Sequence, residues 1–375
     1  MAGIYIHIPY CKQACHYCDF HFSTSLATKE ALLEALCAEM VQRKTELDPP
    51  LIDTIYFGGG TPSILEVDEI KRLLECIFTN YQVKPKAEIT LEANPDDLTT
   101  KKILALRHTE INRFSIGVQS FFNEDLRYMN RAHDAEEAEK SIKASQDAGF
   151  ENITIDLIYG TPTLTDERWL DNLRQSVSFL VPHLSCYALT VEEKTPLASL
   201  IQKKKQAPVE EGKVADHFSI MTETLTHRGF EQYEISNFAK PGYRSQHNAS
   251  YWSGQPYVGF GPGAHSFNGT DKRRWNVSNN TTYIRSIRQG EKYFEEEILS
   301  ERDRFNEFIM TRIRLLEGIS LNEVEQRFGK DYHQHLLTQI DRWEKKKYAV
   351  QSNFITLTDK GKIISDQLAA DLFVV

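Results

Sequence analysis

Ile4-Tyr5-Ile6-His7-Ile8-Pro9-Tyr10-Cys11-Lys12-Gln13-Ala14-Cys15-His16-Tyr17-Cys18 couples a short β-branched run to three closely spaced cysteines. The run Ile4–Ile8 reads as a strand, and the cysteines fall in the loop that leaves it. Thiolates are soft donors suited to iron–sulfur clusters and to zinc. The spacing therefore leaves two readings open. One is a cluster held by three cysteines, with one iron free to take a ligand. The other is a closed zinc site completed by His16 or His21, since structural zinc takes four ligands. What surrounds the loop separates them.

Working outward, strand-like runs recur at Thr54–Phe57, Glu88–Leu91, Arg113–Val118, Ile153–Ile158 and Leu184–Leu189. Amphipathic helical patterns lie between them, at Lys29–Arg43, where Leu32, Leu33, Leu36 and Met40 share a face, at Val67–Phe78 and at Ala135–Ala148. Strands alternating with helices predict repeated βα units and a parallel sheet. Six such units predict an α/β fold, a partial (β/α)6 barrel, with the chemistry at the carboxyl ends of the strands. The cysteine loop then sits at a barrel mouth. A closed zinc site needs no such mouth, whereas an open iron does. Gly58-Gly59-Gly60-Thr61-Pro62, Glu92, Gln119 and Asp156 fall at or near the other strand ends.

Beyond Ala188 the pattern changes. A long helix is expected over Val209–Gly229, then irregular loops rich in Gly, Asn, Tyr, Trp and His over 231–280. From Asp303, two helices, a hairpin around Tyr348–Leu357 and a last helix from Thr358 predict a winged-helix-like α+β appendage. The expected units are 1–230 (barrel), 231–300 (irregular linking region) and 301–375 (appendage).

The 375 residues are 41% hydrophobic and 26% charged, an ordinary globular composition. A formal net charge of −9 argues against a general nucleic-acid binder. The first residues lack a secretory pattern, and no apolar run approaches the ~20 residues of a membrane span. A cytoplasmic protein is expected. Six cysteines in a reducing compartment point to a metal or redox site rather than to disulfides. Cys37, Cys76 and Cys186 lie among apolar residues and read as small core side chains.

The C-x3-C-x2-C loop, with Tyr17 before its third cysteine, resembles that of the radical S-adenosylmethionine (SAM) superfamily. The resemblance implies a [4Fe-4S] cluster on Cys11, Cys15 and Cys18. It also implies SAM chelated to the open iron and cleaved to a 5′-deoxyadenosyl radical. It assigns Gly59, Gly60 and Thr61 to the SAM ammonium, and Tyr5 to a position lining SAM. Glu92, Gln119, Arg131, Asp156 and Ala188 recur in the order found in the oxygen-independent coproporphyrinogen III oxidases and their relatives, where they contact the ribose, carboxylate and adenosyl parts of SAM.

Two features separate this chain from the oxidases themselves. Their loop carries a fourth cysteine where Phe20 stands here, and they carry an N-terminal extension before the first strand, which here is expected to begin at about Ile4. His247-Asn248-Ala249-Ser250-Tyr251-Trp252 instead resembles a His-Asn-x-x-Tyr-Trp segment of haem chaperones in the same subfamily. The resemblance implies haem held by His247, Tyr251 and Trp252, with His265 the next candidate ligand. It further implies a haem donor and an apo-haemoprotein acceptor as partners. Without it, His247 would be read as a hydrogen-bonding loop histidine, with Tyr251 and Trp252 filling a core gap. The rival enzyme reading is a coproporphyrinogen III dehydrogenase.

Overall fold

The computed structural model describes residues 2–47 and 51–375. The six expected strands form in chain order: β1 (Gly3–Ile8), β2 (Leu51–Gly59), β3 (Gln82–Ala93), β4 (Arg113–Gln119), β5 (Asn152–Tyr159) and β6 (His183–Ala188). Adjacent strands pair in parallel, as in Ile4↔Ile55, Ile55↔Ile89, Leu91↔Phe114, Phe114↔Ile153 and Ile155↔Leu184. Those apolar residues share one side of the sheet and bury themselves with Leu32, Leu36, Ile70 and Leu73 of the covering helices. Because side chains alternate along a strand, the intervening residues fall on the concave side. They are polar there: Tyr5, His7, Tyr56, Glu88, Glu92, Arg113, Ser115, Asp156, His183 and Ser185.

The barrel does not close, and the sheet is larger than the six units predict. Residues 231–300, expected to be irregular, add strands to both edges. A hairpin of β7 (Glu231–Gln232) and β8 (Asn237–Ala239) lies antiparallel beyond β6. On the other side β9 (Tyr257–Phe260) pairs parallel with β1, placing Gly259 beside Tyr5. The antiparallel strands β10 (His265–Phe267), β11 (Lys272–Asn276) and β12 (Phe294–Ile298) continue from it. Strands this short, broken by Gly and Asn, carry no readable period in sequence.

Helix α1 (Lys29–Gln42) fastens this second half to the first. Its Glu39, fully buried, accepts hydrogen bonds from Gly261 N (2.9 Å), Tyr283 Oη (2.5 Å), Asn276 Nδ2 (2.8 Å) and Arg43 Nη1 (2.8 Å). Arg43 in turn donates to Gly259 O at 2.7 Å and Ser266 Oγ at 2.9 Å. A buried ion pair is tolerable only when its remaining donors and acceptors are satisfied, as they are here.

Residues from Glu301 form a separate small core around Phe305, Ile309, Ile340 and Trp343. Its element order is helix Glu301–Arg312, strand Ile319–Ser320, helices Leu321–Phe328 and Lys330–Lys345, hairpin Ala349–Gln351 and Phe354–Leu357, then two short helices. The α+β appendage is present as expected, but with three helices rather than two before the hairpin and two short helices rather than one after it. The unit docks through Leu316 N to Tyr233 O (3.1 Å) and Lys362 Nζ to Gln232 Oε1 (2.8 Å). Among the described residues no helix is long and apolar enough to cross a membrane.

Glu39→Ala leaves three buried donors unmatched and Arg43 with Glu46 as its remaining counter-ion. Equilibrium urea unfolding is expected to show a loss of about 3–5 kcal/mol, with Glu39→Gln costing less; a loss within the error of the method would show that this network is dispensable.

Candidate functional site

A cavity of about 450 Å³ opens at the carboxyl ends of the parallel strands. Its wall combines Cys11, Cys15, Tyr17 and Cys18 with Gly59, Gly60, Thr61, Glu92, Gln119, Arg131, Asp156 and Ala188. Twelve positions scattered over 178 residues of sequence thus meet at one mouth.

The cysteine loop is held at its base and at its tip. Ser23 N donates to Pro9 O (2.8 Å) and Cys11 N to Ser23 O (3.0 Å), closing the base. His16 N reaches Met129 O (3.0 Å), Gln13 Nε2 reaches Asn130 Oδ1 (3.0 Å), and Asn130 Nδ2 returns to Ala14 O (2.7 Å). The glycine turn lies against this loop: Gly60 N donates to Ile8 O (2.9 Å) and Thr61 N to Tyr10 O (2.7 Å). A Cβ at Gly60 would sit 2.8 Å from Tyr10 O, and at Gly59 (φ +110°) 2.5 Å from the His7 ring, so only glycine fits either position.

The three thiols are free and half-buried. Burial raises the Cys11 thiol and lifts Cys18 to about 11, so neither is an ionised nucleophile by itself. Thr61 Oγ1 donates to Cys11 Sγ at 3.3 Å and Arg131 Nη1 to Cys15 Sγ at 3.4 Å. The zinc alternative finds no ready-made site: among the described residues no three His, Cys, Asp or Glu side chains gather about one ion. A cluster that binds each thiolate through a different iron needs no such convergence.

Opposite the thiols stand two carboxyl groups. Glu92 accepts from Tyr56 Oη at 2.7 Å, and Asp156 accepts from Ser115 Oγ at 3.1 Å. Burial lifts Glu92 to about 7, with the nearby Asp156 adding to the rise, and burial lifts Asp156 to about 6. Arg131 is pinned by Asn94 Oδ1 (2.7 Å) and Gly117 O (2.9 Å), yet its Nε is buried with no hydrogen-bond partner. Two buried carboxyls whose burial outweighs the pull of Arg113, and an unspent guanidinium donor, fit a zwitterionic, cationic ligand such as SAM. Gln119 is held at φ +65° where the β4–β5 register shifts, an arrangement that points to a constrained, ligand-facing position.

Five predicted residues stand outside this wall. Tyr5 lies one strand away, its ring 6.2 Å from Tyr56 and its Oη 3.1 Å from His7 Nδ1. His247 is 1% exposed at the amino ends of β1 and β2, beneath the cavity. Its Nδ1 lies 2.8 Å from Thr54 Oγ1, its Nε2 lies 2.8 Å from Tyr251 Oη, and its ring stacks on Tyr56 at 4.9 Å. An imidazole with both nitrogens engaged has no lone pair for iron until one of those bonds breaks. Trp252 faces the C-terminal unit under the Arg314 guanidinium, 5.4 Å from the ring centre. His265 is exposed, beside Trp275 at 6.2 Å. Sequence reasoning passed over Tyr56, Asn94, Ser115 and Asn248, all on the cavity wall. The inward parity of Tyr56 with Gly58, and Asn94 two residues past Glu92, were the available signals.

The radical SAM superfamily pattern matches residues 5–175, and the HemN C-terminal domain pattern matches residues 299–364. The heme chaperone HemW of Bacillus subtilis is 33% identical over 98% of this chain and 98% of its own length. That of Escherichia coli is 32% identical over 98% and 96%. The chain belongs to the HemW family of radical SAM proteins. In structure it is similar to the Escherichia coli coproporphyrinogen III oxidase HemN, with a TM-score of 0.86 at 23% identity over 100% of this chain and 90% of that one. At that identity the likeness establishes the shared fold, an open parallel sheet with a C-terminal domain. As in other HemW members, radical SAM architecture implies an iron–sulfur cluster and SAM.

The raised Glu92 carboxyl has a signature in the protein free of cluster and SAM. Its folded pKa lies above the ordinary 4.5, so the folded state keeps its proton longer. Stability from this group is full below about pH 4.5 and is lost as pH rises through about 7. Between pH 5 and 8 the wild type is expected to lose about 2–3 kcal/mol more than Glu92→Gln. Parallel pH profiles of thermal unfolding would disprove it.

Proposed function

We propose that this protein is a cytoplasmic haem chaperone. It binds haem, carries a [4Fe-4S] cluster with exchangeable SAM, and passes the haem to an apo-haemoprotein. Cys11, Cys15 and Cys18 would hold the cluster. Gly59, Gly60 and Thr61 would receive the SAM ammonium, Arg131 its carboxylate, and Glu92 and Asp156 the ribose and the neighbouring positive charge, with Tyr17, Gln119 and Ala188 completing the wall. Bound there, cluster and SAM supply one-electron chemistry. The protein's own residues position the ligand, keep water from its charged end and set the protonation of the two carboxyl groups.

The observation that carries the chaperone reading over the dehydrogenase is Phe20 at the position of the oxidases' fourth cysteine, beside the 33% and 32% identity to the heme chaperones HemW of Bacillus subtilis and Escherichia coli. The cavity of about 450 Å³ is ligand-sized, and its wall mixes polar and apolar groups. Phe20 itself is 67% exposed at the cavity mouth. On this reading the macrocycle would lie on the outer rim, where His265 and Trp275 offer an exposed imidazole and a flat ring. His247 and Tyr251 would join it only if the helix Gln246–Trp252 opened.

Substituting Glu92 by Gln or Arg131 by Met is expected to weaken SAM binding by about 10- to 100-fold, since each leaves a charged partner unmatched. Iron and sulfide content should not change. Calorimetric titration of the reconstituted protein measures the first, and unchanged affinity in both variants would remove SAM from this wall.

Cluster-loaded wild type is expected to bind haem stably and to give no protoporphyrinogen from coproporphyrinogen III under anaerobic, reducing conditions. His265→Ala should shift the haem absorption spectrum or lower occupancy. A shift in His247→Ala alone would move ligation to the helix Gln246–Trp252. Sustained decarboxylation by the wild type would establish the dehydrogenase reading in its place.

A further inference from the structure

On the outer layer, away from the cluster loop, α1 and helix α2 (Val67–Asn80) pack against each other and bring two further cysteines together. Cys76 Sγ donates to the backbone O of Cys37 at 3.5 Å, both thiols are free, and both are only partly covered. Packed helices lie close enough for short side chains on facing ridges to touch. Arg72, one turn before Cys76 and paired with Glu30 at 2.5 Å, brings a positive charge to the same surface.

We propose that Cys37 and Cys76 form a redox-active dithiol, a modification site separate from the cluster, whose substrate class is low-molecular-weight disulfides. Cys37 is the attacking sulfur. The adjacent Cys76 side chain, with the Arg72 charge assisting, holds Cys37 below the ordinary thiol range, while the adjacent Cys37 side chain and burial hold Cys76 above it. The Cys37 thiolate attacks one sulfur of the small disulfide, whose S–S bond breaks and releases one thiolate. Cys76 then loses its proton to solvent and attacks Cys37 Sγ, expelling the second small thiol. Two protein thiols become one disulfide, and one small disulfide becomes two thiols. The bond would tie α1 to α2. These helices cover the strands that carry the cysteine loop and the glycine turn, and α1 also holds Gly259 and Gly261 through Glu39 and Arg43. The thiol state of the outer layer is thereby coupled to the framework of the cofactor cavity.

The test uses anaerobic, cluster-loaded protein equilibrated in glutathione buffers from reducing to oxidising, then acid-quenched, alkylated and peptide-mapped. A Cys37–Cys76 disulfide is expected, half-formed at a definite buffer ratio. Cys76→Ser should accumulate a glutathione adduct on Cys37, whereas Cys37→Ser should leave Cys76 unmodified, and at pH 7 Cys37 should alkylate about tenfold faster than Cys76. Iron content equal to wild type verifies that both serine variants fold. Two free thiols in the most oxidising buffer would refute the proposal, as would an adduct forming on Cys76 as readily as on Cys37.

Discussion

Arg113 is the charge around which the concave side of the sheet is arranged. It is 1% exposed, lies 3.9 Å from Glu88, and donates to Thr90 and Thr154. A guanidinium cannot stay charged in such a place without acceptors, so the strands on both sides must present them. Glu88 has a second duty: it accepts Gln246 N (3.1 Å) and His247 N (3.0 Å), the free amides at the start of the helix Gln246–Trp252. That helix is thereby drawn under the barrel, where His247 stacks on Tyr56 and closes the floor. A vessel closed below and open above is what desolvates Glu92 and Asp156.

The upper end depends on the lower one. Tyr56 touches both, with His247 on one face and Glu92 on its hydroxyl. Asn248, next to His247, reaches the cavity wall itself. At the mouth, backbone hydrogen bonds fix the glycine turn and the base of the cysteine loop, while side chains of Gln13, Asn94, Asn130 and Thr61 hold the loop tip, Arg131 and the Cys11 thiol. Polar groups that share one enclosed space constrain one another's charge, so the two carboxyls, the guanidinium and the thiols behave as a set.

Much of this was legible from residues close together in sequence. Alternation in runs such as Ile4–Ile8 and Arg113–Val118 marks strands because one side must be apolar, and three cysteines in one loop mark a site at any fold. The strand β9 was not legible, since Tyr257–Phe260 becomes a strand only by pairing with Gly3–Ile6, far back in the chain. Arg131 carried no local signal; its importance lies in Cys15, Asn94 and Gly117 meeting it, and only resemblance to a family pointed there. His247 shows the opposite problem. A histidine beside Tyr and Trp reads the same whether its nitrogens are free or engaged, and that is decided by Thr54 on another element.

The spacing within Gln246–Trp252 explains why one segment carries such different residues. Positions four apart share a helix face, so His247 and Tyr251 turn together toward the barrel floor and hydrogen-bond to each other. Trp252, the next residue, is rotated by about 100° and meets Arg314 of the C-terminal unit instead. Arg314 also pairs with Glu234 at 4.0 Å beside the β7–β8 hairpin, and with Asp366 at 2.9 Å. A single short helix therefore touches the cavity wall through Asn248, the floor through His247 and the appended domain through Trp252. Displacing it would disturb all three at once, so haem ligation by His247 would require the barrel floor and the domain contact to give way together, whereas ligation by His265 would leave both intact.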